Sequence, residues 1–97
     1  MNRAEVLDTA KQYTTKDRKA DHGPLENTFT MIADLWSVYL DLEIGAADAA
    51  MMLALLKIAR QRANPNHSDN YVDLAGYAAC AGELSGSPAL PPNGLQG

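Results

Sequence analysis

Ninety-seven residues make room for one domain, and 46% of them are hydrophobic, chiefly Ala, Leu and Met, with one Phe and one Trp. That composition suits closely packed helices rather than a sheet. A net charge of −4 and a pI near 4.9 argue against a duplex nucleic acid partner, and the single cysteine, Cys80, excludes an internal disulfide and a multi-cysteine metal site. The first residues lack an apolar signal core, and the longest apolar run, 49–56, is too short to span a bilayer. These features predict a soluble cytoplasmic protein with no membrane partner.

Asn2 followed by Glu5 reads as a capping box. Val6, Ala10 and Tyr13, with Leu7 beside them, predict a first helix over 3–15. The polar segment TTKDRKADHGP then reads as a loop, with Lys16, Arg18, Lys19 and His22 ahead of Gly23-Pro24. Cations and a histidine before a helix that starts on proline form a candidate phosphate cradle; the competing reading is a solvated charged loop. Pro24 opens a second helix, and Leu25, Phe29, Ile32, Trp36 and Tyr39 recur on one stripe. Glu26 in its first turn is either a metal ligand or an acid that favours a helix start.

A third helix is predicted from Ala46 to Arg62. Twelve of the fourteen residues in 46–59 are apolar, the exceptions being Asp48 and Lys57. A helix apolar on all sides is expected to be covered on more than one side, which predicts a homo-oligomer. Lys57, three residues before Arg60, must reach solvent, a carboxylate such as Asp73 or Asp48, or a bound anion; Arg62 reads as surface. After the break at NPNHS, Ser68 or Asp69 is expected to cap a fourth helix running to Leu84. Residues 85–97 hold three of the five prolines and read as a disordered tail. The expected fold is all-α, a four-helix bundle-like domain over 1–84.

The fourth helix concentrates polar groups. Asp69, Asp73 and Tyr77 are spaced by four and share a face, with Asn70 beside them. Two carboxylates at that spacing could hold Mg²⁺ or hydrogen-bond a ribose or a base edge. The alternative is that Asp69 caps, Asp73 favours the first turn and Tyr77 packs in the core. His22 and His67 have no spacing that would make a zinc site. Cys80, among alanines, reads as packing.

Three stretches, RKADHG with EN and IADLW, DAAMMLALLKIAR, and HSDNYVDLAGYAA, resemble a small phage and prophage domain family of unknown function. That family is distantly similar to the nucleotide-modification-associated domain and to MazG-like all-α nucleotide pyrophosphohydrolases. The resemblance spans 18–84 and is most specific from Lys57 to Tyr77. It implies an all-α oligomer and a phosphorylated, nucleotide-sized ligand. Arg18, Lys19, His22, Glu26, Lys57, Arg60, His67, Asn70, Asp73 and Tyr77 are the candidate ligand-binding residues, with Asp69 and Asp73 as the candidate metal pair. MazG-like enzymes pair Glu-x-x-Glu with Glu-x-x-Asp to bind Mg²⁺. Here Phe29 stands three after Glu26, and Asp69 and Asp73 are four apart, so the set is incomplete unless Asp48 or Asp34 joins it. The expectation is therefore binding without catalysis and without a cofactor, in the manner of a protein that sequesters a nucleotide signal of bacterial immunity. The alternatives are a Mg²⁺-dependent pyrophosphohydrolase and an inhibitor that docks on a host enzyme.

Overall fold

The structure, a computed structural model, describes residues 1–17 and 25–91. Among them are four α-helices and no strand: α1 (Arg3–Gln12), α2 (Leu25–Leu40), α3 (Ala46–Ala63) and α4 (Ser68–Leu84). A π-helical turn, Tyr13–Asp17, continues α1. α3 and α4 form the principal pair; α1 packs on α4, and α2 packs on α3. No described helix is long and apolar enough to cross a membrane.

α1 starts as expected. The Asn2 side chain accepts the Glu5 N–H at 2.8 Å, and the Glu5 carboxylate accepts the Asn2 N–H at 3.0 Å. It stops being α-helical three residues earlier than predicted. Thr14 and Thr15 turn their hydroxyls back onto the carbonyls of Ala10 and Lys11, at 2.8 and 2.6 Å. Such back-bonding loosens the regular ladder, and the backbone widens into the π turn.

The core is built from small residues. Phe29, Ala33, Ala49, Ala50, Cys80 and Ala81 are its buried centre, with Ile32, Trp36, Leu53 and Tyr77 packed around it. Alanine at these contacts lets the helix backbones approach closely. Of the predicted α2 stripe, Phe29, Ile32 and Trp36 face the core, Tyr39 is 87% exposed, and the side chain of Leu25 lies outside those described. The inward position at the end of α2 belongs to Ser37, which donates to Ala33 O at 2.7 Å and accepts the Ile44 N–H at 2.9 Å. The helix closes with Asp41 in the left-handed region, φ 54°, and Leu42 N–H on Ser37 O at 3.2 Å. This is the six-to-one closure of a Schellman turn, made without the usual glycine.

Asp48 caps α3, its carboxylate accepting the Gly45 N–H at 3.2 Å. The α3–α4 turn is tight. Asn64 N–H returns to Arg60 O at 2.9 Å and His67 N–H to Asn64 O at 3.3 Å. Tyr71 pins the turn, donating to Pro65 O at 2.7 Å while accepting from the Gln61 amide at 3.1 Å. The N-cap of α4 is His67, with no side-chain capping bond, rather than Ser68 or Asp69. The closed turn fixes the helix start one residue early and places both of those side chains inside the first turn. α4 ends at Leu84, as the sequence predicts.

Residues 85–91 are exposed and outside any helix, and residues 92–97 lie beyond those described. Ser85 N–H nevertheless caps α4 on Ala81 O at 2.9 Å, and its hydroxyl meets Gly82 O at 2.8 Å. Truncation after Ser87 is therefore expected to change unfolding free energy by less than about 0.5 kcal/mol. A chemical-denaturation midpoint that moves well beyond that would show that the distal tail docks on the domain.

Candidate ligand-binding site

Lys57 is the one buried cation among the described residues, 8% exposed in a helix interface otherwise lined by alanine. Its Nζ lies 2.7 Å from Asp73 Oδ2 and 3.9 Å from Asp69 Oδ2. An ammonium so placed must be paired, because an unpaired buried charge is very costly. The spacing of four on α4 brings both carboxylates to it. Asp73 is mostly buried, whereas Asp69 is half-exposed at the mouth. The three side chains sum to one net negative charge, so Lys57 has no spare charge for an incoming phosphate.

Asn70, on α4 between Asp69 and Asp73, is also buried. It is 4% exposed, and its Nδ2 reaches Asn64 O at 3.4 Å, a long hydrogen bond. Its Oδ1 has no partner among the described residues. A buried amide oxygen left without a donor is uncommon and costs free energy. Tyr77, one turn after Asp73, is half-buried and stands edge-on to Phe29, ring centroids 6.5 Å apart at 89°.

The structure thus brings together Lys57, Asp69 and Asp73, with Asn70 buried on the same helix against the α3–α4 turn and Tyr77 one turn on. It does not bring Arg60 or His67 into the ion-pair cluster. Both are exposed, Arg60 on the flank of α3 and His67 at the cap of α4. Arg18, Lys19 and His22 lie outside the described residues, as does the side chain of Glu26. Asp48 is committed to its cap, and Asp34 is exposed on α2. Among the described residues no three His, Cys, Asp or Glu side chains are grouped to hold a metal ion.

The π turn and α2 each reach α4 at adjacent positions. Thr14 packs on Gly76, where an added Cβ would stand 3.2 Å from its Cγ2, and Phe29 meets Tyr77. Gly76→Val should overpack this contact and cost about 1–3 kcal/mol. A thermal melt identical to that of the parent chain would mean that the π turn does not seat there.

A second concavity, of about 650 Å³, lies between the start of α1 and the α3–α4 turn, where Arg3, Leu7, Asn66 and Tyr71 face it. No sequence signal marks it, because its walls come from segments some sixty residues apart.

Residues 5–85 match the family model of a domain of unknown function, DUF6378. The chain belongs to the DUF6378 family. The DUF6378 match takes in all four helices and stops at the cap of α4. The chain is 35% identical to the Gene 55 protein of Mycobacterium phage D29 over 83 residues, 86% of this chain and 55% of that protein. It is 40% identical to the Gene 55 protein of Mycobacterium phage L5 over 74 residues, 75% of this chain and 47% of that protein. The chain thus spans about half the length of these curated relatives. No solved structure matches it. The expected kinship with a small phage family holds at that level; none of these matches is to a MazG-like hydrolase.

Proposed function

We propose that this DUF6378 domain binds a phosphorylated nucleotide over the Lys57–Asp73 cluster and retains it without turnover. The observation that carries the reading is the polar trio of Lys57, Asp73 and Asn70 sunk into an alanine-lined interface. Stability does not account for it, since a buried ion pair is commonly no better than apolar side chains of the same volume. The open Asn70 Oδ1 calls for a donor, which a base amino group or a ribose hydroxyl supplies. Asp69, at the mouth, accepts hydrogen bonds from the same hydroxyls. Because Asp73 neutralises Lys57, the phosphates fall to cations outside the cluster: Arg60, Lys16, Arg18 and Lys19. This revises the sequence-based pairing of Lys57 with phosphate. The relatives are phage proteins, and retention without turnover suits sequestration of a host nucleotide signal.

A second reading, Mg²⁺-dependent pyrophosphate release, is favoured by the convergence of Asp69 and Asp73 on one cation. Calorimetric titration with nucleoside mono-, di- and triphosphates, with and without Mg²⁺, tests both. The binding reading expects saturable heat without a metal requirement and no pyrophosphate release. Release that needs Mg²⁺ and Asp73 would establish the second reading, and an absence of heat with every nucleotide would remove both.

A further inference from the structure

α2 and α3 each carry a second apolar face turned away from the core. On α2, Met31, Leu35 and Val38 recur at intervals of four and three and are exposed, Val38 at 83%, with Tyr39 beside them. On α3, Met51, Leu55 and Ile58 repeat the same intervals and are also exposed. The inward face of α3 is alanine and Lys57, so most of its large side chains, Leu53 excepted, point to water. Four-three spacing is the seam by which helices interlock knobs into holes. At about 60–120 Å² for a fully exposed Leu, Ile, Val or Met and about 150–250 Å² for Tyr, the two partly exposed faces leave on the order of 500 Å² of apolar surface in water. A stable dimer covers about 800 Å² on each partner, about 65% of it apolar. The exposed apolar area is therefore what a second chain needs.

We infer that two copies of this chain pair through these faces, α2 of each lying on α3 of the other. Charge selects this arrangement. From 27 to 45 the chain has Asp34, Asp41 and Glu43 and no Lys or Arg, whereas α3 ends on exposed Arg60 and Arg62. Two α2 faces would oppose like charges. α2 on the partner's α3 opposes unlike ones, and a two-fold axis makes that contact twice. The pairing shares Arg60 with the ligand reading, but its apolar area comes from side chains that reading does not use.

Sedimentation of the full chain at micromolar concentration should show a species of twice 10.4 kDa. Val38→Glu and Leu55→Glu, both at positions exposed in the single chain, should each raise the dimer dissociation constant more than about tenfold while leaving helicity by circular dichroism unchanged. Leu35→Lys and Met51→Lys repeat the test at a second position on each helix. A parent chain that runs only as a monomer overturns the pairing, as does a dimer that neither face disturbs. Dissociation by the α2 variants alone overturns the α2-on-α3 arrangement.

Discussion

Phe29→Ala is expected to remove most of the domain's stability. Phe29 is the largest side chain that is fully buried, 1% exposed, and its core neighbours are Ala33, Ala49, Ala50, Cys80 and Ala81. Side chains that short cannot swing into the vacated space, so the cavity persists unless helices move. Truncating a buried Phe costs about 3–5 kcal/mol, against a total stability of about 5–15 kcal/mol that sits low in that range for so small a chain. The loss would also remove the edge-on ring partner of Tyr77. Thermal melts followed by circular dichroism should show a midpoint lowered by more than about 12 °C, at about 4–8 °C for each kcal/mol in a domain of this size. Phe29→Leu, which keeps most of the volume, should fall between the two. A shift of only a few degrees for the alanine variant would mean that the α2 contact contributes little to the core.

Asp73→Leu and the pair Lys57→Met/Asp73→Leu should move stability in opposite directions. The single change strands a buried ammonium, since Asp69, at 3.9 Å and half-exposed, is a poor substitute. Removing one partner of such a pair costs about 3–5 kcal/mol. The double variant removes the ammonium as well and fills the space with apolar volume, so its stability should return to the parent's or exceed it. A double-mutant cycle in urea reads this as a coupling between the two changes. Nucleotide binding should not return, because the polar trio around Asn70 is gone. A double variant that is folded and binds nucleotide with parental affinity would refute the proposed site while leaving the stability reading intact.

Sequence pattern located the helices because each is bounded by chemistry that acts locally: the Asn2–Glu5 box, the NPNH turn, the run of apolar residues from Ala46. The stripe of Phe29, Ile32 and Trp36 is the inner face of α2, although Met31, Leu35 and Val38 define another just as apolar that periodicity alone cannot rank below it. Tyr39 continues the inner period but is exposed, because Ser37 takes the inward position where the chain turns back to Ile44. The cap at His67 was illegible because it depends on hydrogen bonds of the turn rather than on a capping side chain. Lys57 announced itself by interrupting an apolar run, and Asp73 was already among its candidate partners. That Arg60 would leave the cluster follows from a helical step of three, which displaces it from the seam where Lys57 meets α4. The contacts of Thr14 with Gly76 and of Phe29 with Tyr77 join positions some sixty and fifty residues apart. No local window spans such distances.

Cys80 gives the molecule a built-in clock. It is the chain's one thiol, and it sits in the core beside Ala81, on the helix that packs against α3. A thiol reagent meets its sulfur only during the moments when the helices part, so the alkylation rate measures how often the native state opens. At low reagent concentration the rate reports the equilibrium for opening, and at high concentration it reports the opening rate itself. No probe has to be engineered in. A nucleotide that binds across the α3–α4 face should slow the modification of a sulfur it never touches.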